Sequence, residues 1–432
     1  MSAWPINVAV ADDALPIAHL TLAFASCPVF DPPGKEGLSC LTNRLVCRGT
    51  QRLDYASLSD AVESLGSELL TSTQRSTVTI GGTVLTRHIE PFLQLLGDVV
   101  CTPRFDPIEL EKVRREILTE QSLLLDDDNQ LARYWLRRHL FDDSRVGNAT
   151  IGERRSVQAL SLADVQACHE ENYVSERLVV GSSGQLKTDD FQSGLSNLVD
   201  RLPSRVERTW LKPDVSLIKG RRVLLIDKPE RVQSQIMIGR SLGEITEPEY
   251  FSLKVATSSF GGTFTSRLMQ EVRVKRGLSY GAHAWLSEER NANVYLLGAS
   301  TDSDRTVETL RVLLDEFERF SVGGLSDDEI NFARLYLLNG YPFTIETASQ
   351  EASNRLRARL AGWPSGQQER WRDYLESRHE AETNIAVRSH LSAENCAVAI
   401  VCTVTPELER QVANLEGIVD VQTVSYKDHL DF

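Results

Sequence analysis

The side chains that most often bind metal ions or attack substrates are scattered through this sequence without a recognisable spacing. It contains eight histidines and seven cysteines, yet no two histidines are spaced as ligands and no two cysteines form a C-x-x-C pair. P-loop, dinucleotide-binding and G-x-S-x-G patterns are also missing from the sequence. The acidic run at residues 126–128 could bind a cation, although a solvated loop after a helix explains it more simply. The sequence thus excludes the commonest local catalytic signatures.

A segment near the N-terminus, residues 37–50 (GLSCLTNRLVCRGT), resembles the zinc-binding stretch of the insulinase/pitrilysin-like metallopeptidases, family M16. That stretch carries H-x-x-E-H, in which two histidines on one helical face bind zinc and the glutamate activates a water. In register with the flanking glycines and threonine, the motif positions are Cys40, Asn43 and Arg44. Asn43 cannot act as a general base, and Arg44 places a permanent cation where a ligand belongs.

The resemblance also assigns the family's third zinc ligand to Glu120, because that ligand follows the second histidine position by about 76 residues and 120 − 44 = 76. Glu120 is then the only ligand retained, with Cys40 as a side chain able in principle to bind a metal. An ordinary exposed helix glutamate is the alternative for Glu120. We expect no catalytic zinc and no cofactor in this chain.

A second segment, residues 259–285 (SFGGTFTSRLMQEVRVKRGLSYGAHAW), resembles the signature of the C-terminal half of the same family. Arg273 and Tyr280 occupy the positions of the family's paired arginine and tyrosine. A cation and a phenol presented together can hold a peptide carbonyl and stabilise the oxyanion that forms when water attacks it. The alternative makes Arg273 a solvated helix arginine and Tyr280 a half-buried strand residue.

Other segments extend the resemblance over nearly the whole chain. Residues 224–235 resemble the opening strand of the family's second domain, and residues 339–347 resemble a late loop. Between residues 66 and 79 the sequence departs from the family, with Leu69 at a usual asparagine and Arg75 at a usual acid. The first half has therefore lost its peptidase features together, while the second half has kept its own.

The elements that must position these residues recur in two copies. Apolar periodicity predicts helices at residues 38–46, 58–65, 89–101 and 107–125, with strands at 17–26 and 72–85, the latter as one strand or a hairpin around Gly81 and Gly82. The second half repeats this order, and its predicted helix over 266–276 ends at Gly277 as the earlier one ends at Gly66. A repeat near half the chain length indicates a duplicated α+β domain.

The resemblance implies two homologous domains, each a mainly antiparallel sheet packed with helices as in LuxS/MPP-like proteins, that together form half of a clam-shell chamber. A polar segment with two prolines, residues 202–220, suits a linker. We therefore predict an N-terminal domain over residues 1–212 and a C-terminal domain over residues 213–432.

Composition narrows the function classes. The chain has 432 residues, 41% of them hydrophobic, and a net charge of −14. So acidic a protein repels phosphate backbones, which argues against nucleic acid as a partner, and no window approaches the ~18 apolar residues of a membrane span. An odd number of scattered cysteines favours a reducing compartment. Without a signal-like N-terminus we expect a cytoplasmic protein, or a periplasmic one if a signal peptide has been removed.

The resemblance implies a non-catalytic subunit of a heterodimeric zinc metallopeptidase. Its partner would be a homologous subunit with an intact H-x-x-E-H motif and the zinc, and the substrate a peptide or unfolded polypeptide. Arg273 and Tyr280 would act in trans, so the chain is expected to be inactive alone, where it could form homodimers. A purely structural subunit, like the core proteins of the respiratory bc1 complex, is the alternative. A homodimeric peptidase using Cys40 is disfavoured because Arg44 would repel the metal.

Overall fold

The computed structural model describes residues 6–26, 28–141, 144–186, 189–204, 218–290 and 292–428. They form two compact units, each with one sheet and its own helices, so the predicted α+β class with two sheet-and-helix domains is confirmed. Unit 1 contains residues 6–121, 149–204 and 342–365, and unit 2 contains residues 122–148, 218–341 and 366–428. The boundary predicted between residues 212 and 213 lies outside the described residues.

The sheet of unit 1 has five strands: β1 (Ile6–Ala11), β2 (Ile17–Phe24), β3 (Leu70–Thr73), β4 (Val78–Leu85) and β5 (Leu178–Gly184). Their spatial order is β1-β5-β2-β4-β3, with β1 and β5 parallel and the remaining pairs antiparallel. The short strand β3 lies at an edge of this sheet.

The sheet of unit 2 has six strands: β6 (Arg221–Asp227), β7 (Gln233–Gly243), β8 (Ala282–Leu286), β9 (Asn293–Asp302), β10 (Cys396–Cys402) and β11 (Ile418–Ser425). Their order is β11-β6-β10-β7-β9-β8, and β6 runs parallel to both β10 and β11. Without β11, this order and these directions repeat those of unit 1 strand for strand. The duplication inferred from the sequence is therefore present in the topology, with β8 as the counterpart of β3.

Among the described residues, fifteen α-helices accompany the sheets: α1 (Leu38–Val46), α2 (Tyr55–Ser64), α3 (Ile89–Cys101), α4 (Pro107–Leu124), α5 (Asp128–Leu140), α6 (Arg154–Ala159), α7 (Leu162–Asn172), α8 (Asp189–Arg201), α9 (Glu247–Thr257), α10 (Thr306–Gly323), α11 (Asp327–Thr344), α12 (Ala348–Ala361), α13 (Gln367–Glu376), α14 (Glu380–His390) and α15 (Pro406–Ala413). Two further turns are π-helical: Ser258–Gly262 and Met269–Val274. The second replaces most of the α-helix predicted over residues 266–276.

Alternating apolar residues build the core of unit 1. Leu20 and Leu22 of β2 and Ile80 of β4 are fully buried in one cluster with Phe92 and Leu96 of α3. Because strand side chains alternate between faces, the period-two pattern of β2 directs these leucines to the helices. Each fully buried side chain of this size contributes about 1.5–3 kcal/mol of transfer free energy.

Each unit includes one helix from the half of the sequence that forms most of the other unit, and this helix packs on the sheet of its own unit. Helix α12 belongs to unit 1 and packs on β5 and β1, while α5 belongs to unit 2 and packs on β10 and β7. Both contacts use a leucine over a strand glycine: Leu356 approaches Gly181, and Leu136 approaches Gly239. A glycine lets the helix come close, because a β-carbon at either position would contact the leucine at 2.8 or 3.0 Å.

The hairpin predicted around Gly81 and Gly82 exists, but its turn lies elsewhere. Strands β3 and β4 are joined through residues 74–77, where the Gln74 N–H donates to the Thr77 carbonyl at 2.8 Å. Gly81 and Gly82 lie inside β4. A β-carbon at Gly81 would lie 2.1 Å from the Leu20 carbonyl oxygen, so glycine serves close backbone approach there and not a turn.

No helix in the described part of the chain is long and apolar enough to cross a membrane. The six cysteines that the structure describes are all reduced, and four of them are buried.

Replacing Gly181 by alanine would place a methyl group 2.8 Å from Leu356 Cδ2. Because packed cores resist added volume, we expect Gly181→Ala to lower the free energy of unfolding by about 1–3 kcal/mol. Urea denaturation followed by circular dichroism measures this change. In a Leu356→Ala background the opposing side chain is shorter, so Gly181→Ala should lower the free energy of unfolding by less than it does in the wild type.

The matched control is Gly323→Ala. Gly323 lies in α10, and a β-carbon there meets nothing within 4 Å. Its stability should equal that of the wild type or rise by up to about 1 kcal/mol, because alanine favours helix over glycine. Equal stabilities of Gly181→Ala and Gly323→Ala would contradict the close packing of α12 on the sheet of unit 1.

Candidate functional site

The degenerate zinc motif lies on α1 in unit 1, and a buried aspartate anchors the start of this helix. Asp31 accepts hydrogen bonds from the backbone N–H groups of Gly37 and Ser39, each at 3.0 Å, and from Ser39 Oγ at 2.6 Å. Burial raises the pKa of Asp31 to about 6, although the Ser39 and Gly37 hydrogen bonds act in the opposite direction. All but one of the nine residues of α1 are buried. The helix is therefore fixed within the core together with Cys40 and Asn43, whereas Arg44 is its one residue that is not buried.

Asn43, at the position of the catalytic glutamate, has a structural role. Its Nδ2 donates to the carbonyl oxygens of Ser72 at 3.0 Å and Thr79 at 3.3 Å, and its Oδ1 accepts from the Tyr173 hydroxyl at 3.0 Å. Asn43 has no exposed surface. Its amide thus joins α1 to β3 and β4, and both of its polar groups are committed to the protein.

Arg44, at the position of the second histidine, forms an ion pair with the residue assigned as the third ligand. Its Nη2 donates to Glu120 Oε2 at 2.6 Å. Two residues beyond the end of α1, Arg48 Nη2 contacts both carboxylate oxygens of Glu116 at 2.7 and 2.8 Å. Since Glu116 precedes Glu120 by one turn of α4, the two pairs form an antiparallel ladder between the helices. The guanidinium of Arg44 supplies to Glu120 the positive charge that a metal would otherwise supply.

These residues do not fit a catalytic zinc ion. Burial raises the pKa of the Cys40 thiol, an effect that the neighbouring Arg44 charge opposes but does not cancel. A raised pKa disfavours the thiolate that binds metals. Glu120 is already paired, and Arg44 is a cation. Within the described ranges, no three histidine, cysteine or acidic side chains are grouped so as to hold a metal.

A cavity of about 440 Å³ opens beside this ladder. It lies between α1, α2 and the edge strand β3, and its lining includes Arg44, Arg48, Leu58, Val62 and Leu69. Leu69 is the position at which the resemblance expects an asparagine. Unit 1 therefore has an open groove along a sheet edge even though its metal position is filled by an ion pair.

In unit 2, the segment that carries Arg273 is held on two sides. A β-carbon at Gly261 would lie 2.6 Å from the Ala284 backbone nitrogen, so only glycine permits this approach to β8. Six residues later, Arg267 binds Glu329 of α11 through two N–H···O contacts, Nε to Oε1 at 2.9 Å and Nη2 to Oε2 at 2.7 Å. Bidentate pairs of this kind fix both direction and distance. These contacts hold the backbone in place just before the π-helical turn Met269–Val274 begins.

Tyr280 lies at the tip of a braced turn. The turn begins at Gly277, whose φ of +57° is a conformation that glycine adopts readily. Arg305 Nη1 donates to the Gly277 carbonyl at 3.0 Å, and Thr301 Oγ1 donates to the Leu278 carbonyl at 2.7 Å. The Tyr280 side chain is 91% exposed and precedes β8. The alternative that placed Tyr280 half-buried in a strand is therefore wrong.

Arg273 is half-buried and stacks on an aromatic ring. Its guanidinium carbon lies 4.5 Å from the centroid of the Phe264 ring. Within the described part of the chain, neither the Arg273 guanidinium nor the Tyr280 hydroxyl has a hydrogen-bond or ion-pair partner. Both polar groups are available to a ligand that supplies a carbonyl or carboxylate oxygen.

The structure thus brings together some of the predicted site residues and not others. Arg44 and Glu120 meet directly in unit 1, whereas Arg273 and Tyr280 belong to unit 2. Sequence reasoning missed Arg48, which extends the ladder, and Phe264, which carries Arg273. Arg48 could have been found from its spacing of four residues after Arg44, just beyond the helix predicted over residues 38–46. No signal in the sequence indicated the contact of Phe264.

Comparison with known proteins gives a consistent pattern. Residues 7–154 match the profile of insulinase (peptidase family M16), and residues 159–337 match the peptidase M16 inactive domain. The chain is 24% identical over 393 residues to the non-peptidase homolog YmxG of Helicobacter pylori, with 90% of this chain and 89% of that protein covered. These matches span both sequence segments that carry the resemblance.

Two solved structures share the fold. A peptidase M16 inactive domain from Pseudomonas fluorescens superimposes with a TM-score of 0.85 at 21% identity, covering 92% of this chain and 95% of that one. A chain of Complex III2 from Candida albicans superimposes with a TM-score of 0.77 at 14% identity, covering 95% and 97%. At these identities the likeness establishes the fold alone.

Asn43 allows a direct test of its structural role. Asn43→Ala would leave the Ser72 and Thr79 carbonyls and the buried Tyr173 hydroxyl without this partner, so the free energy of unfolding should fall by about 2–4 kcal/mol. Tyr173→Phe removes only one of the three hydrogen bonds and should cost about 1 kcal/mol. Guanidinium denaturation of both variants and of the double variant should give less than additive losses. An Asn43→Ala protein as stable as the wild type would show that the amide does not hold α1 to the sheet.

The side chains at the metal position of unit 1 predict the zinc content of the purified chain. We expect the purified chain to bind no stoichiometric zinc after dialysis. The Arg44 guanidinium lies where the second histidine ligand would be, and Glu120 is the only one of the three zinc ligands that is present. Elemental analysis measures this directly. A full equivalent of tightly held zinc would refute our account of unit 1.

Restoring two ligands should reverse that result. Cys40→His with Arg44→His recreates the two histidines, leaves Glu120 unpaired and keeps Asn43 with its hydrogen bonds. This double variant should gain about one equivalent of zinc per chain. Adding Glu120→Gln should abolish the gain, and circular dichroism should confirm that all three proteins are folded.

Proposed function

The chain belongs to peptidase family M16, and from that premise we propose that it is the non-catalytic subunit of a two-chain zinc metallopeptidase. Its partner is a homologous M16 subunit with an intact H-x-x-E-H motif. Its substrate is a peptide or an unfolded segment of a polypeptide.

One contrast between the two units carries this proposal. In unit 1 the metal position is filled by the Arg44–Glu120 ion pair, with nitrogen and oxygen 2.6 Å apart. In unit 2 the Tyr280 side chain is 91% exposed at the tip of a braced turn. The backbone of this turn is held in place while the phenol has no hydrogen-bond partner in the described part of the chain, so its presentation suits contact with another molecule.

In the proposed reaction, Arg273 and Tyr280 bind the substrate and do not make or break bonds. The Arg273 N–H groups and the Tyr280 O–H donate to the carbonyl oxygen of the peptide bond under attack. Donors held in place for the developing negative charge lower the barrier more than donors that must reorganise. The zinc expected in the partner would supply the activated water.

A purely structural subunit is the second candidate. The fold likeness to a chain of Complex III2 supports it, with a TM-score of 0.77 over 95% of this chain. A scaffold has no use for a cation and a phenol without protein partners, and this favours the first proposal. The two candidates differ in what substitution of Tyr280 should do.

Tyr280→Phe removes one hydroxyl and keeps the ring. In a complex reconstituted with an M16 chain from the same genome that carries H-x-x-E-H, this variant should lower kcat by about 10²–10³, the effect of losing one oxyanion donor. Arg273→Ala should lower kcat/KM, with a rise in KM if the guanidinium also binds the ground-state carbonyl. Steady-state hydrolysis of an unstructured fluorogenic peptide gives both values.

Tyr336→Phe is the matched control, because Tyr336 is a tyrosine on α11 that is 56% exposed. It should leave the kinetics unchanged, and size-exclusion chromatography should show the same complex for every variant. Wild-type kinetics for Tyr280→Phe and Arg273→Ala would instead favour the structural subunit. Hydrolysis of the peptide by the isolated chain would contradict the non-catalytic assignment.

A further inference from the structure

Phe264 is the neighbour that gives Arg273 its orientation. We propose that Phe264 is a positioning residue: its ring supports the Arg273 guanidinium by stacking and leaves the N–H groups directed toward a bound polypeptide. The role in hydrolysis rests on the proposed function, whereas the stacking itself can be tested on the isolated chain.

Arg273 forms no ion pair with an acidic side chain in the described part of the chain. Residues three and four positions away on its helical segment are Met269, Gln270, Arg276 and Gly277, none of which is an acid. The nearby Glu271 is already bound, to Lys275 Nζ at 2.5 Å and to Arg276 Nη1 at 2.6 Å. Electrostatic pairing therefore leaves Arg273 without a fixed direction.

A contact with an aromatic ring takes the place of an ion pair at Arg273. The Arg273 guanidinium lies 4.5 Å from the Phe264 ring centroid, within the range of a cation–π contact. Stacking uses the flat face of the guanidinium, so the N–H groups along its edge stay available for a carbonyl or carboxylate. An ion pair would have consumed the same N–H groups. An aromatic support is thus the arrangement that holds an arginine while keeping its donors unused.

The backbone of Phe264 is held in place. Phe264 lies in a turn closed by a hydrogen bond from the Ser266 N–H to the Thr263 carbonyl at 3.1 Å. On one side of this turn Gly261 packs on β8, and on the other Arg267 binds Glu329. The Phe264 side chain is 67% exposed, so the core does not require it. Its fixed place and its exposure suit a support for Arg273 better than a packing role.

The test of stacking uses the isolated full-length chain labelled with isotopes in arginine only. Ring currents of Phe264 should shift the side-chain NMR signals of Arg273, which Arg273→Lys assigns by their loss. Phe264→Leu should move these signals to the positions of an unstacked arginine, and Phe264→Tyr should keep them shifted. Unmoved Arg273 signals in Phe264→Leu would overturn the proposal.

The test of function uses the reconstituted complex. Phe264→Leu should lower kcat/KM by about two- to fivefold, the effect of losing one exposed cation–π contact, and Phe264→Tyr should restore it. In an Arg273→Ala background, Phe264→Leu should have no further effect. Phe332→Leu is the control, since Phe332 is 54% exposed on α11 and has no cation over its ring in the described part of the chain.

The outcomes separate the two proposals. If Phe264→Leu lowers kcat/KM equally with and without Arg273, the residue acts independently and the positioning role is refuted. If Tyr280→Phe and Arg273→Ala both keep wild-type kinetics, the proposed function fails, and Phe264 loses its role in hydrolysis even where NMR shows the stack.

Discussion

A guanidinium group keeps its proton at every pH that a folded protein tolerates, and this permanent charge at Arg44 governs the site in unit 1. A cation at the centre of the motif repels a metal ion and attracts the carboxylate that would have bound one. Glu120 is accordingly paired with Arg44 at 2.6 Å, and Arg48 repeats the pairing one turn away. The helices α1 and α4, which in a zinc enzyme would be joined through the metal, are joined here by ion pairs.

Asn43, at the position of the catalytic glutamate, is also suited to a site without a metal. An amide at residue 43 can donate and accept in a buried place where a carboxylate would carry an uncompensated charge. Asn43 uses this to bind two strand carbonyls and the Tyr173 hydroxyl. Asn43 and Arg44 thus both bind other groups of the protein where the family motif would bind metal and water. Together they turn a reactive centre into a packed interface between α1, the sheet and α4, and the groove along β3 stays open beside it.

Unit 2 has the opposite arrangement. Arg267 forms a bidentate pair with Glu329 and fixes the backbone, whereas Arg273 lies against Phe264, and its N–H groups have no partner in the described part of the chain. The turn at Tyr280 is likewise held by side chains that bond to its backbone and not to the phenol. Rigid support under unpaired polar groups is what ligand binding requires, because little conformational entropy is then lost when the ligand binds.

Much of the fold and the place of the degenerate motif could be predicted from local sequence, because apolar periodicity and motif spacing extend over only a few residues. The bounds of α1 and α3, the duplicated order of elements and the degenerate motif at Cys40, Asn43 and Arg44 are of this kind. Contacts between segments that are far apart in the sequence could not be predicted in this way. Gly81 suggested a turn but serves a close approach to Leu20, and the exchanged helices α5 and α12 were not predicted, because their partners lie far away in the sequence. The pairing of Arg44 with Glu120 and the stacking of Arg273 on Phe264 were decided by tertiary structure, since only folding determines which charge or ring lies within reach.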